Sequence, residues 1–195
     1  ADGSDYPWDK CFVYRCLENQ KANRGTSDLV WRKDGTSFPM SYSVGPILES
    51  GVLMGAVVIF RDMTKEHASL HKLDYQARHD ALTGLINRRE FDERLERVLD
   101  NSPEDQDHHV LCYLDLDQFK VINDMCGHLA GDELLRQLSN VLQSHVRKRD
   151  TLARLGGDEF GLLMEHCDLH EGKRVANSMR DAVANFRFSW QGNTH

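Results

Sequence analysis

Two glycines followed by two acidic residues lie between apolar runs in the second half of the sequence. The segment is Leu155-Gly156-Gly157-Asp158-Glu159-Phe160, and Leu162-Leu163-Met164 follows it. Apolar runs joined by such a short glycine-bearing turn predict a tight β-hairpin with acidic residues at its tip. Glycine lets a backbone approach a bulky ligand, and a divalent cation relieves repulsion between neighbouring carboxylates. The segment therefore indicates a metal or phosphate site, although a solvated hairpin turn would show the same pattern by itself.

A second acidic stretch lies upstream of the first. A near-continuous apolar run predicts a buried central strand that ends in Asp115 and Asp117, at alternate positions that share one side of the strand. Carboxylates are costly where a buried strand emerges unless they bind something. Lys120 follows, and a glycine-bearing polar loop over 123–132 leads into a helix. A cation bridging Asp115 and Asp158, with a lysine nearby, describes a metal–triphosphate site.

Taken together, these motifs resemble the GGDEF family of bacterial diguanylate cyclases. The resemblance is carried, in chain order, by His79 to Arg89, Asp115 to Asp124, Gly127-His128 with Gly131-Asp132, and Gly156 to Phe160. It implies an α+β fold of the nucleotide-cyclase and polymerase-palm type, with a mainly antiparallel central sheet flanked by helices. It also implies a homodimer that condenses two GTP molecules into cyclic di-GMP and pyrophosphate with Mg²⁺ or Mn²⁺.

The resemblance also implies roles for the acidic residues and the lysine. Asp115 and Asp158 would ligate the metal with the backbone carbonyl of Leu116, and Asp158 would also accept the proton of the attacking hydroxyl. Lys120 would contact the triphosphate. Glu159 would support the metal site or the nucleotide of the neighbouring subunit.

Guanine recognition is assigned by the resemblance to Asn123 and Asp132. A carboxylate can accept both guanine N–H donors, and an amide can donate and accept on the same edge. His128 would line the same pocket, and the Gly156-Gly157 backbone would lie against the substrate. Two alternatives remain open here: Asp132 as an acid facing a helix dipole, and His128 as a structural histidine.

Arg147 and Asp150 match the family's inhibitory product-binding site in residue type and in spacing ahead of the glycines. An arginine can bind phosphate or the guanine edge in a bidentate way, and an aspartate can accept from guanine. The alternative is a basic helix C-terminus that complements the helix dipole. We treat Asp80 and Asp117 as structural.

The first third of the chain has the pattern of a β-meander, with strands predicted over 26–32, 37–44 and 52–60. Segments 31–36 and 55–64 resemble the C-terminal half of a PAS sensor domain, without naming its ligand. The boundaries that follow are 1–64 for the PAS part, 65–79 for a signalling linker helix, and 80–195 for the GGDEF domain. The linker carries an apolar heptad seam formed by Met63, Leu70, Leu73 and Ala77.

Apolar periodicity predicts three helices in the GGDEF part. The first covers 88–99 with Phe91, Leu95, Val98 and Leu99 on one face, the second covers 132–146, and the third is marked by Val175, Met179, Val183 and Phe186. An acidic surface loop is predicted over 101–109, and a strand begins within 186–190.

Composition excludes several classes of protein. The 195 residues carry a formal net charge of −7, which argues against a nucleic-acid binder with a basic surface. The longest apolar run, 52–60, is too short to span a bilayer, and no signal-peptide pattern opens the chain. The five cysteines lack metal-site spacing and indicate reduced thiols. We therefore expect a cytoplasmic segment, although a longer parent could be membrane-tethered.

Two other functions remain possible from the sequence. A GGDEF domain can serve as a non-catalytic GTP or cyclic di-GMP receptor that regulates a phosphodiesterase, but the intact segment 156–160 favours an enzyme. Residues 1–64 alone would suggest a small-molecule sensor. The resemblance further implies late basic residues that this sequence lacks, so both ends look clipped, and we expect the isolated 195 residues to have little cyclase activity.

Overall fold

The computed structural model describes residues 8–101 and 108–194. It divides into two compact units after Leu73. Most of the acidic loop predicted over 101–109 lies outside the described residues. Among the helices that are described, none combines the length and apolar character needed to cross a membrane.

The first unit is a helix with a three-stranded antiparallel sheet, in agreement with the predicted meander. Its elements are α1 (Phe12–Asn19), β1 (Asn23–Trp31), β2 (Ser37–Glu49) and β3 (Val52–Asp62), with strand order β1-β2-β3. Cys16 of α1 is buried together with Met40 and Val44 of β2. The ring of Phe12 stacks on Tyr42 at 4.1 Å between centroids. The helix therefore packs against one face of the sheet.

Strand β2 is longer than the predicted 37–44, because it continues to Glu49 through Pro46. Proline usually interrupts a strand because it has no N–H for the ladder. The pairing of β1 with β2 ends at Val44, so Pro46 lies where β2 pairs only with β3. A missing N–H there does not disrupt pairing on the β1 side.

The predicted linker helix is present as α2 (Thr64–Arg78). Leu70 and Leu73, two members of the heptad seam, are 64% and 62% exposed. The boundary between the two units falls within this helix. The seam could therefore pack against another helix, and pairing through it stays a prediction.

The second unit is α+β, as predicted, with a mixed sheet flanked by helices. Its strands are β4 (Ile86–Asn87), β5 (Val110–Asp115), β6 (Thr151–Gly156) and β7 (Glu159–Met164), in the order β4-β6-β7-β5. The β4–β6 pair is parallel, and the other two pairs are antiparallel. Its helices are α3 (Arg88–Asn101), α4 (Phe119–Cys126), α5 (His128–Ser144) and α6 (Leu169–Ala184).

The core of this unit lies on both faces of the sheet. On one face, Leu135 and Leu142 of α5 and Met179 of α6 pack with Phe160 and Leu162 of β7. On the other face, a smaller cluster is formed by Phe91, Ala153 and Leu163. Leu99 was predicted on the apolar face of α3, but it is 65% exposed because helical spacing turns it away from the packed line of Phe91, Leu95 and Val98.

The polar segment predicted as a loop over 123–132 is instead helical. Helix α4 ends at Cys126, and α5 begins at His128 rather than at Asp132. The physical reason is that Phe119, Ile122 and Cys126 pack against the core from one face of α4. The apolar spacing in this segment is that of a short helix, which the polar residues between these positions obscured.

Three strand predictions also need correction. Strand β5 was predicted as a buried central strand, but it ends the strand order of the described sheet and has alternate residues exposed. Strand β5 ends at Asp115, so Asp117 lies beyond it, and strand alternation does not place the two carboxylates on one side. The strand predicted within 186–190 is reduced to β8 (Ser189–Trp190), which pairs only with β9 (Asn193–Thr194). Phe186 and Phe188 pack against the core and leave only two residues to pair.

Asp80 connects the segment after α2 to the β6–β7 hairpin. Its Oδ1 accepts hydrogen bonds from the Thr83 N–H at 2.9 Å and the Thr83 hydroxyl at 2.7 Å. Arg154 Nη1 donates to the same Oδ1 at 3.1 Å, and Arg154 Nη2 donates to the Gly157 carbonyl at 2.8 Å. Burial would raise the pKa of Asp80, but the bonds from Thr83 and Arg154 outweigh it and lower the pKa.

We expect Asp80→Asn to destabilise the second unit by about 1–3 kcal/mol at pH 7, because the half-buried Arg154 loses its charged partner. The lowered pKa of Asp80 means that this stability is present above its ordinary value of 3.8 and is lost as pH falls below it. Urea unfolding at pH 7 and pH 3 measures both effects. The exposed Asp92→Asn is the control; equal unfolding of the two variants at pH 7 would contradict the role of Asp80.

Candidate functional site

The acidic hairpin tip predicted from the sequence is formed by β6 and β7. Gly156 pairs with Glu159 across the hairpin, and Gly157 and Asp158 form the turn. Gly156 and Gly157 have φ values of +150° and +54°, which side chains rarely tolerate. An added Cβ would meet nothing within 4 Å at either position. The backbone conformation therefore requires glycine, and the space beside the turn is open to a ligand.

The end of β5 lies directly beside this hairpin. In the β5–β7 ladder, Asp115 is the cross-strand partner of Glu159. Asp115 is exposed, and Asp158 is half-buried. Leu116 is buried, and its carbonyl accepts a hydrogen bond from the Phe119 N–H at 3.3 Å. The structure thus brings the two acidic motifs of the sequence to one edge of the sheet.

The donor set here suits a hard divalent cation. Carboxylates and a backbone carbonyl are oxygen ligands of the kind that Mg²⁺ prefers, and Mg²⁺ usually keeps waters and phosphate oxygens as well. Within the part of the chain that the structure describes, no three histidine, cysteine or acidic side chains converge as a metal site. A cation held by Asp115, Asp158 and the Leu116 carbonyl would therefore need oxygens from a nucleotide or from water.

Helices α4 and α5 carry the residues predicted to contact the nucleotide. Lys120 and Asn123 lie on α4, and His128 and Asp132 lie on α5. His128 is the first residue of α5, whereas Asp132 lies in its second turn. Because dipole effects fade beyond the first turn, the alternative of Asp132 as a dipole-facing acid is weakened.

Gly131 decides where the Asn123 side chain lies. A Cβ at Gly131 would be 2.0 Å from Asn123 Oδ1 and 3.1 Å from the Phe119 ring. The amide of Asn123 therefore occupies space that only glycine leaves between the two helices. The sequence motif includes Gly131 but does not reveal this role. A glycine inside an amphipathic helix lowers helix stability by about 1 kcal/mol relative to alanine. A glycine at such a position was therefore the available sign that the missing side chain has a purpose.

A cleft of ≈ 830 Å³ begins at the end of β5. Asp115, Leu116 and Asp117 are part of its lining, and the remaining walls are largely apolar side chains of β5, β7, α4, α5, α6 and the segment 186–188. Lys120, Asn123 and Asp158 are not part of its lining. The residues predicted to bind the nucleotide are therefore not the ones that form this cleft.

Arg147 and Asp150 lie in the turn between α5 and β6. The Asp150 side chain is only 5% exposed and accepts a hydrogen bond from the Arg147 N–H at 3.3 Å. Both residues line a cavity of ≈ 390 Å³ together with Arg94 and Thr151. Helix α5 ends at Ser144 with no basic residue in its last turn. The alternative of a basic helix C-terminus is therefore not supported for Arg147.

Three residues that shape these sites were assigned no role from the sequence: Gly131, Arg154 and Glu171. Arg154 holds the carbonyl of the turn residue Gly157, and Glu171 forms an ion pair with Arg147. Arg154 is itself anchored by Asp80, which lies 74 residues earlier in the chain, and Glu171 lies 24 residues after Arg147. Their positions show no local pattern that could have identified them.

Comparisons with known proteins identify the family of the second unit. Residues 77–195, more than half of the chain, match the family described as "Diguanylate cyclase, GGDEF domain". The Escherichia coli K12 protein named "Probable diguanylate cyclase DgcE" is 40% identical over 164 residues, which are 84% of this chain and 15% of that protein. "Cyclic di-GMP phosphodiesterase PdeB" of Shewanella oneidensis is 44% identical over 132 residues, which are 68% of this chain and 15% of that protein. The chain thus spans a small part of these relatives.

Solved structures show the same fold. The coiled coil and GGDEF domain of DgcB from Caulobacter crescentus, in complex with c-di-GMP, has 26% identity and a TM-score of 0.63. That match covers 67% of this chain and 69% of the DgcB chain. On the family match and the shared arrangement of hairpin, sheet and helices, this chain belongs to the family of diguanylate cyclase GGDEF domains.

Proposed function

We propose that the chain contains the catalytic domain of a diguanylate cyclase, which joins two GTP molecules into cyclic di-GMP. The observation that carries the proposal is the β5–β7 register, in which Asp115 faces Glu159 beside the Gly156-Gly157 hairpin. Lys120 lies on the helix that follows β5. Acidic oxygens, a nearby lysine and an open glycine turn form the chemistry that a nucleoside triphosphate with a divalent cation requires.

The reaction is a phosphoryl transfer in which the protein mainly positions reactants and balances charge. Asp115, Asp158 and the Leu116 carbonyl would hold Mg²⁺ or Mn²⁺, which neutralises phosphate charge when bound. The 3′-oxygen of one GTP forms a bond to the α-phosphorus of the other, and the bond to pyrophosphate breaks. Asp158 takes the 3′-hydroxyl proton, Lys120 stabilises phosphate charge, and Glu159 supports the metal site.

Two copies of the domain are required, because each holds one GTP and each GTP is attacked by the other. Asn123 and Asp132 read the guanine edge, with His128 at the start of α5 lining the pocket. The Gly156-Gly157 backbone lies against the nucleotide. The cyclic di-GMP product binds at Arg147 and Asp150 and inhibits the enzyme.

We further infer that residues 1–64 are the C-terminal part of a PAS sensor that controls the cyclase through the linker 65–79. The three-stranded meander with α1 on one face supports this, as does the exposed Leu70 and Leu73 seam of α2. The related DgcB structure contains a coiled coil together with its GGDEF domain. Because GTP is a cytosolic nucleotide, we place the whole chain, with its GGDEF domain at 80–195, in the cytoplasm.

A second candidate function is a non-catalytic receptor for GTP or cyclic di-GMP that regulates a phosphodiesterase domain. The similarity to PdeB, a relative named as a cyclic di-GMP phosphodiesterase, favours it. One experiment distinguishes the cyclase from the receptor. The natural protein that contains this chain is incubated with GTP and Mg²⁺, and cyclic di-GMP is then detected by chromatography. Synthesis supports the cyclase, whereas nucleotide binding without synthesis supports the receptor.

Asp115→Asn and Asp158→Asn should each lower the rate of cyclic di-GMP synthesis by at least about 100-fold, because metal-based charge stabilisation is worth several kcal/mol. Both variants should stay folded, since removing one of two neighbouring carboxylates relieves repulsion. Asp117→Asn is the matched control, because it makes the same change at a nearby aspartate that lies beyond the end of β5. The assignment fails if either variant keeps wild-type turnover. Circular dichroism verifies folding.

Gly131→Ala should weaken GTP binding by about two- to twelvefold, the range for one lost hydrogen bond. The reason is that the added Cβ displaces the Asn123 amide, although alanine itself favours a helix. The double variant with Asn123→Ala is the control, because Gly131→Ala should cost nothing more once Asn123 is truncated. Additive losses of affinity in calorimetry would show that Gly131 acts in another way.

Arg147→Ala should leave the initial rate of cyclic di-GMP synthesis close to wild type and relieve inhibition by added cyclic di-GMP. The guanidinium is a charge-assisted phosphate ligand, so its loss weakens product binding by at least about tenfold. Titrating product into the turnover assay measures this. Arg136→Ala, which removes an exposed arginine of α5, is the control. If all three proteins are inhibited equally, Arg147 does not bind product.

A further inference from the structure

The side chain of Arg147 is engaged by an acidic residue of another element. Its Nη2 donates a hydrogen bond to Oε1 of Glu171 on α6, and the two side chains are 45% and 30% exposed. Glu171 is not among the residues that line the cavity containing Arg147 and Asp150. The guanidinium that would bind a phosphate is therefore held by a carboxylate outside that cavity.

Asp150 bonds the backbone of Arg147 and leaves its guanidinium to other partners. The Asp150 side chain is only 5% exposed. Its carboxylate accepts a hydrogen bond from the main-chain N–H of Arg147, not from the Arg147 guanidinium. A buried carboxylate keeps a hydrogen-bonded partner because leaving it unpaired is costly. This hydrogen bond thus holds the backbone of the turn, and the half-exposed guanidinium can exchange partners without a change in the backbone.

Glu171 can release Arg147 at low cost because a second arginine and the start of a helix remain beside it. Asp168 is the N-cap of α6, and its side chain accepts from the Glu171 N–H at 2.7 Å. An acid at N-cap and a glutamate three residues later form the capping-box pattern, in which the glutamate bonds the N-cap N–H. Arg174 Nη2 also lies 3.7 Å from the same Oε1. A glutamate in the first helical turn is further stabilised by the helix dipole.

We propose that Glu171 is an internal competitor for cyclic di-GMP at Arg147, and this inference rests on the product site proposed above. Without ligand, the guanidinium pairs with Glu171. A phosphate of the bound product pairs with the Arg147 guanidinium in place of Glu171. The Glu171 carboxylate then bonds the N-cap N–H of α6 and pairs with Arg174. The exchange replaces one carboxylate–guanidinium bond by one phosphate–guanidinium bond and needs no backbone change. Glu171 thereby raises the product concentration at which inhibition begins.

Calorimetric titration of the chain with cyclic di-GMP tests this with five proteins: wild type, Glu171→Gln, Asp181→Asn, Arg147→Ala, and the double variant of Arg147→Ala with Glu171→Gln. Glutamine keeps the shape and the capping ability of Glu171 but weakens its hold on the guanidinium. Asp181 lies on the same helix and pairs with Arg180, so its variant is a control that removes the same charge. Glu171→Gln should bind product about two- to fivefold more tightly, the range expected for releasing one exposed ion pair.

Asp181→Asn should bind like wild type, and the double variant Arg147→Ala with Glu171→Gln should bind like Arg147→Ala alone. The gain from Glu171→Gln should also shrink as salt is raised, because salt screens the exposed pair that the variant removes. If Arg147→Ala weakens binding but Glu171→Gln gives unchanged or weaker binding, the competition is refuted while the product site stands. If Arg147→Ala binds as wild type does, the product site and the role of Glu171 are both refuted.

Discussion

The antiparallel pairing of β5 with β7 is the constraint on which the candidate site depends. Six consecutive pairs run from Val110 opposite Met164 to Asp115 opposite Glu159. A slip of one residue would turn every side chain to the other face of the sheet. Such a slip is prevented by burial, because Phe160, Leu162 and Met164 fill one core cluster while Leu163 packs on Phe91 across the sheet. Hydrophobic packing on both faces thus sets which carboxylates meet at the sheet edge.

Close packing of α4 on α5 sets the second half of the site. The two helices are separated only by Gly127, and the missing side chain of Gly131 lets the Asn123 amide lie between them. The apolar face of α4, with Phe119 packed on the core, keeps this helix against the protein. The residues for guanine and phosphate therefore come from rigid elements, which favours precise positioning of a ligand.

Ion pairs between distant segments adjust the two sites in different ways. Arg154 is 13% exposed and is held by Asp80, so it forms a fixed brace for the Gly157 carbonyl of the hairpin. The Arg147–Glu171 pair is much more exposed and lies at the surface. Burial makes the first pair costly to break, whereas solvent makes the second easy to exchange. The same type of contact can therefore serve as a structural support in one place and as an exchangeable partner in another.

The sequence by itself determined the GGDEF resemblance, the acidic hairpin and the three-stranded meander, because short turns and strand periodicity are local properties of the chain. Local pattern was insufficient for α4, where polar residues obscured the helical spacing of Phe119, Ile122 and Cys126. Only the tertiary structure decided that Asp115 faces Glu159, that Gly131 makes room for Asn123, and that Glu171 holds Arg147. The packing of whole helices and strands brings the residues of these contacts together in space. A short sequence pattern describes one element at a time and does not encode such contacts.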